Sequence, residues 1–177
     1  MNYATIKKFD IANGTGVRVS LFVSGCTHHC KDCFNAQAWD FHYGEEFNED
    51  VMNDILQALS LDSISGLSLL GGEPMEPDNQ IGLLPLLRKF HDTFPNKDVW
   101  CYTGYLFEDL IESGKVHTQV TDELLSYIDI LVDGPFVAEK KNIRLQFRGS
   151  ENQRIIDVQK SLKNKRIILW DKLIEGR

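Results

Sequence analysis

The sequence predicts an α/β fold, a partial, open (β/α) barrel of about six mostly parallel strands. Short runs rich in Val, Ile, Leu and aromatic residues alternate with segments of helical periodicity. Four of those runs leave into a Gly-rich or polar turn. The chain has 177 residues, whereas a complete eight-fold barrel takes about 250. A doubly wound open sheet is the alternative arrangement of the same pattern. The length fits one domain, 1–177. The final Leu173-Ile174-Glu175-Gly176-Arg177 contains Ile-Glu-Gly-Arg, an engineered protease site, and residues 173–177 are a candidate expression remnant.

The strand candidates, in order, are Val17–Val23, Leu67–Leu70, Val99–Tyr102, Ile128–Val132, Ile143–Phe147 and Arg166–Trp170. The second and fourth are apolar enough to be buried on both faces. Helices fall between them. Asn48–Leu59 opens on a capping Asn48 and places Val51, Ile55, Leu56 and Leu59 on one face. Asn79–Phe94 carries an Ile81, Leu84, Leu87, Phe90 stripe, with Pro85 expected to kink or split it. Leu106–Glu112 is expected to stop at Ser113-Gly114, and Thr121–Tyr127 begins on a weak cap. The order β, α, β, α implies parallel strands joined by crossover helices.

Composition narrows the function. An apolar fraction of 42% and a mean hydropathy of −0.25 suit an ordinary globular core. The net charge of −7 argues against a nucleic-acid partner, which calls for a clustered basic face. The one basic group, Lys160, Lys163, Lys165 and Arg166, reads as a solvated helix face or turn. No stretch approaches the roughly 18 apolar residues of a membrane span, and the first residues lack a signal-peptide core. A cytoplasmic protein is expected, with neither membrane nor nucleic acid as partner.

Three of the four cysteines, Cys26, Cys30 and Cys33, follow the first strand with the spacing C-x3-C-x2-C. In a reducing compartment such thiols are ligands or catalytic groups rather than disulfides. Thiolates suit zinc or iron–sulfur clusters. An electron-transfer [4Fe–4S] cluster takes four protein thiolates, so three leave one iron open to a substrate. A zinc knuckle completed by His28 or His29 is the competing reading; otherwise both histidines line the cluster. Cys101 lies inside a strand candidate and reads as a packed, inert thiol. The second motif, Gly71-Gly72-Glu73-Pro74, closes the next strand. Its glycines allow close approach to a ligand, and Glu73 can accept hydrogen bonds from a cationic amine.

With both motifs in this order, the chain resembles the radical S-adenosylmethionine (SAM) superfamily. Within it, the sequence is similar to the activating enzymes of the anaerobic ribonucleoside-triphosphate reductase. The likeness runs through Asp10–Arg18, Leu21–Cys26, Cys33-Phe34-Asn35, Thr103-Gly104-Tyr105, Val132-Asp133-Gly134 and Arg148–Gln153. It implies a barrel of the radical SAM type, with a [4Fe–4S] cluster held by Cys26, Cys30 and Cys33. It implies that the open iron chelates SAM, whose reductive cleavage gives a 5′-deoxyadenosyl radical. That radical takes a hydrogen atom from a glycine of the large reductase subunit, and a one-electron donor such as flavodoxin supplies the electron. A laterally open barrel would admit the glycine loop, which a closed, packed one could not.

The superfamily's aromatic before the third cysteine is replaced by Asp32, with Phe34 following instead, as in the activase family. The candidate SAM contacts are Asp32, Cys33 and Phe34 for the adenine, then Gly71, Gly72 and Glu73, then Thr103 and Asp133 at later strand exits. For Asp133 the alternative is a turn residue before Gly134-Pro135. Arg148, Gly149, Ser150, Asn152 and Gln153 are candidate partner contacts, or a capped turn opening a helix. The competing functions are the pyruvate formate-lyase activase, 7-carboxy-7-deazaguanine synthase and a zinc-binding interaction module; the Arg148–Gln153 segment and the short length count against the first two.

Overall fold

The computed structural model describes residues 1–173; the protease-site reading of Ile174–Arg177 lies outside the described residues. Seven strands form one open sheet in the order β3-β1-β2-β4-β5-β6-β7. They are β1 (Asn2–Asp10), β2 (Val17–Val23), β3 (Glu45–Glu46), β4 (Ile64–Gly71), β5 (Asp98–Tyr102), β6 (Ile130–Asp133) and β7 (Arg154–Asp157). The central pairs β2–β4, β4–β5 and β5–β6 are parallel, and the outer pairs are antiparallel. The parallel strands lie in chain order without the reversal a doubly wound sheet requires.

The strand pleat sorts side chains into two layers. Aligned across the sheet, Leu21, Leu69, Cys101, Leu131 and Ile156 form one row. This side is covered by α1 (Glu49–Leu59), α2 (Pro77–Thr93), α3 (Phe107–Leu110), α4 (Thr121–Ser126) and α5 (Val158–Asn164). Ile55, Leu59, Leu83, Leu86, Leu87, Leu124 and Leu125 are fully buried there, each worth about 1.5–3 kcal/mol of transfer free energy. Cys101 sits within this apolar layer and burial raises its thiol pKa, as expected of an inert packed residue.

The opposite face carries Trp100, Ile130, Val132 and Ile155, covered by Phe147 and Trp170 from irregular chain instead of helices. Trp100 meets Phe147 edge-on at 5.1 Å and Trp170 at 5.2 Å. Fully buried Arg18 crosses this face. It donates to Ser68 Oγ, Thr15 O and Leu67 O, and pairs with Asp98 at 2.7 Å.

Several expectations need correction. Ile143–Phe147 is not a strand: β7 takes the sheet edge beside β6, and this segment loops across the open face with Ile143 90% exposed. Arg166–Trp170 is a strap with a single bridge, Leu169 to Ile156. The missed strands β1, β3 and β7 are antiparallel outer strands; β3 is two exposed glutamates, β1 is largely solvated and β7 is four residues long, so none carries a continuous apolar signal. Helix α2 runs unbroken through Pro85, which is exposed, so the carbonyl it leaves without a partner is on the solvent side. Ile81 is exposed as well, and the buried stripe is Leu83, Leu84, Leu86, Leu87 and Phe90. Helix α3 stops at Leu110, before the expected Ser113-Gly114. Helix α1 is capped as predicted, Val51 N–H donating to Asn48 Oδ1 at 3.1 Å. Lys160 and Lys163 lie on α5, with Lys160 paired to its capping Asp157.

Candidate metal centre

The parallel strands discharge at one end into a cleft of about 530 Å³. From β2 the chain passes Ser24 and Gly25 into the cysteine loop. Gly25 N–H donates to Ala38 O and Cys26 N–H to Trp39 O, so the short 3-10 turn at Ala36–Trp39 closes back on the loop's start. His29 (φ 48°) and Asp32 (φ 59°) are left-handed, curling the chain between the second and third thiols. Cys26, Cys30 and Cys33 are all free, and all three line the cleft.

Burial pushes the Cys26 thiol up to about 11, with the Glu73 and Glu76 carboxylates adding to it; burial also raises Cys30. Without a metal both stay protonated at neutral pH, so ligation would release their protons. Among the described residues, no group of three or more His, Cys, Asp or Glu is arranged to hold a single metal ion. In a [4Fe–4S] cluster each thiolate binds a different iron, so its ligands need not converge on one point. The free thiols gathered on one cleft fit that larger group.

The glycine pair packs directly on this loop. Gly71 has φ +112°, and a Cβ there would lie 2.6 Å from Val23 backbone. A Cβ on Gly72 would lie 2.6 Å from Gly25 O and 2.8 Å from Ala38 O. Gly72 N–H donates to Val23 O and Glu73 N–H to Gly25 O. A larger residue at position 72 would therefore strike the cysteine loop's backbone itself, where the sequence suggested only approach to a ligand.

Glu73 is 1% exposed. Its Oε2 accepts from Gly104 N–H at 2.7 Å and from His28 Nε2 at 2.9 Å, and its Oε1 from Met75 N–H at 2.8 Å. The bond from Glu73 raises the His28 pKa against the opposing pull of burial. His28 also lies 4.3 Å from the Tyr105 ring and lines the cleft; His29 instead stacks on Trp39 at 4.4 Å.

Of the remaining sequence candidates, Asp32, Phe34 and Thr103 line the cleft. Phe34 is 87% exposed. Asp133 is not among the lining residues. It is fully buried, accepting from Phe107 N–H at 2.8 Å and from the Arg154 guanidinium through both oxygens. These bonds anchor the start of α3, the arrangement expected of the turn-residue alternative.

The Arg148–Gln153 segment is a self-bonded turn that does not open a helix. Gln153 Oε1 accepts from the amides of Gly149 and Ser150, Gln153 Nε2 donates to Gly134 O, and Asn152 Nδ2 to Pro135 O. Arg148 donates to Gln153 O. Arg148, Gly149 and Gln153 line the cleft; Ser150 and Asn152 do not.

Sequence reasoning passed over Glu76, Tyr102 and Tyr105. Tyr102 lines the cleft with a buried hydroxyl, its pKa raised by burial. Glu76 stands three residues beyond Glu73. That E-x-x-E spacing was visible, but it reads locally as an ordinary acidic helix start.

Comparison with known proteins agrees with this geometry. A family model described as a 4Fe-4S single cluster domain matches residues 12–156. Proteins named anaerobic ribonucleoside-triphosphate reductase-activating protein align along most of the chain. The one from Vibrio cholerae is 40% identical over 157 residues, 88% of this chain and 97% of its own. That of Enterobacteria phage T4 is 37% identical over 155 residues, 88% and 93%. That of Escherichia coli is 39% identical over 155 residues, 86% and 96%.

Proposed function

The chain belongs to the family of anaerobic ribonucleoside-triphosphate reductase-activating proteins, and on that premise we propose that it makes a glycyl radical on its reductase by cleaving SAM at a [4Fe–4S] cluster. The observation that carries the reading is the meeting of the C-x3-C-x2-C loop and the Gly-Gly-Glu turn on one cleft. Cys26, Cys30 and Cys33 would hold the cluster, leaving one iron open. When bound, the cluster supplies one electron that splits SAM into methionine and a 5′-deoxyadenosyl radical, which takes a hydrogen atom from the target glycine.

The chain's own part is to bind, orient and enclose. The Gly71-Gly72 backbone and Glu73 would receive the methionine part of SAM, with Thr103 beside them. Asp32, Cys33 and Phe34 would border the adenine. The open sheet is read as a partial barrel of the radical SAM type. Its helix-free side is the entry for the reductase's glycine loop, with Arg148, Asn152 and Gln153 as partner contacts. Phe147, packed on Trp100 and Trp170, lines the cleft on this side. A flavodoxin-like donor would bring the electron, and the cytoplasm is the expected setting. No helix among the described residues is long and apolar enough to cross a membrane.

The test is an anaerobic SAM-cleavage assay on iron-reconstituted protein with dithionite, with and without the reductase. Methionine release with a glycyl EPR signal on the reductase is expected. Iron-loaded protein that cleaves no SAM in either case would sink the proposal.

A further inference from the structure

We propose that Glu73 and Glu76 form a carboxylate clamp that positions the cluster loop by gripping the residues between its first two cysteines. The inference rests on the cluster reading of the three thiols. Thr27 and His28 lie within the Cys26–Cys30 span, and each is held by one of the two acids. Glu76 Oε1 accepts from Thr27 N–H at 2.9 Å and from Thr27 Oγ1 at 2.6 Å. The Tyr105 hydroxyl reaches the same oxygen at 3.2 Å and lies 3.3 Å from Thr27 Oγ1. Glu73 holds His28 at 2.9 Å and Gly104 N–H at 2.7 Å.

The acids stand on a rigid shelf. Gln80 N–H donates to Glu76 O in the first turn of α2. Asn79 Nδ2 bonds both Ser24 O and Glu73 O, and Gln80 Nε2 bonds Met75 O. All four of these side chains are buried. The loop has little regular structure of its own; within it, Cys33 N–H donates to Cys30 O. Shape is thus transferred from shelf to loop by charge-assisted bonds, about twice as strong as neutral ones.

Two buried carboxylates are costly unless fully bonded, and apolar residues would pack the same volume more cheaply. Their placement is explained if the loop must stay fixed while its thiols carry a metal. Groups that orient first ligands from behind typically change metal affinity 10–100-fold when lost. Both carboxylates bear on the Cys26 thiol, and Glu73 on Cys30 as well, so their charge would oppose addition of an electron there.

The experiment compares wild type, Glu76→Ala, Glu76→Gln and Thr27→Val, each iron-reconstituted without SAM or reductase. Iron release to bipyridyl and the EPR-monitored midpoint potential are measured beside thermal melts. Glu76→Ala should melt as a folded protein and release iron roughly tenfold faster. Glu76→Gln keeps an accepting oxygen, so it should retain iron like wild type while its midpoint moves to a less negative value. Wild-type release from Glu76→Ala, or failure of Glu76→Gln to restore retention or move the midpoint, would overturn the clamp. Should Glu76→Ala not fold, Thr27→Val decides: faster release supports the clamp and wild-type release overturns it. Failure of wild type itself to take up a cluster would instead sink the cluster reading.

Discussion

The cleft has two walls built on different principles. The wall at the exits of β2 and β4 is fastened backbone to backbone: Gly72 to Val23, Glu73 to Gly25, Gly25 to Ala38, Cys26 to Trp39. Its glycines leave no room for a side chain between the layers. The opposite wall, residues 134–153, has backbone bonds within itself, such as Asn142 to Gly149 and Glu151 to Lys140, but is tied to the exit of β6 by side chains, Gln153 to Gly134 and Asn152 to Pro135. It exposes Ile143 and carries Lys140, Lys141, Arg144 and Arg148 in a chain of net charge −7. The first wall cannot shift without disturbing sheet register, which suits a site where thiols must hold one geometry. The second is bonded mostly within itself and meets the sheet through Phe147 on Trp100, so its loop portions are freer to adjust, which suits contact with another protein.

Substitutions on the rigid wall should therefore act on the metal. The largest effect is expected of Cys30→Ala, which removes one of three thiolates. Iron content after anaerobic reconstitution should fall to background, while Cys101→Ala, on the far side of the sheet, keeps its iron. Retention of a full cluster by Cys30→Ala would erase the distinction between the walls.

Gly72→Val comes next. Its Cβ would meet Gly25 O and Ala38 O, and overpacking of this kind costs about 1–3 kcal/mol. The expected result is a lowered thermal midpoint together with poor iron loading. A normal melt with normal iron would show that the loop yields easily, contrary to the rigid-wall description.

Arg154→Ala tests the base of the second wall. Arg154 binds Asp133, which is fully buried, and Glu108, which is half exposed. Loss of the guanidinium should destabilise by about 1–3 kcal/mol, chiefly by stranding Asp133. Its bonds hold the Glu108 carboxyl below the ordinary glutamate value. A depressed folded-state value means that this pair's contribution is present above the unfolded value, about 4.3, and lost as pH falls through the folded one. The stability gap between wild type and Arg154→Ala should thus be full at neutral pH and narrow below about pH 4.3. A gap that widened on acidification would contradict the assignment. Iron loading at neutral pH should be unchanged.

Arg148→Ala should affect stability least, since its bond to Gln153 O is worth about 1 kcal/mol. SAM cleavage with dithionite should persist while glycyl-radical yield falls. Equal loss of both would make the second wall as rigid as the first.

Much was legible in the sequence, for a local reason. Parallel strands buried on both faces leave continuous apolar runs, so β2, β4, β5 and β6 announced themselves. Thiol spacing within eight residues and a Gly-Gly-Glu turn are local features too, and they pointed to the cluster end of the sheet. Sequential strands joined by crossover helices left two open arrangements, singly or doubly wound, and the structure has the singly wound order.

What the chain alone could not decide depends on partners distant in sequence. Ile143–Phe147 and Arg154–Asp157 both have strand-like residues, and only competition for the edge of β6 gave the place to the second. Asp133 stands at a strand exit like Thr103, yet Arg154, 21 residues on, claims its carboxylate and takes it out of the cleft. Glu76 looks like any acid before a helix until Thr27, 49 residues earlier, is brought against it. Local chemistry decides which residues are able to do a job; three-dimensional packing decides which are left free to do it, because a buried polar group goes to whichever partner the fold delivers.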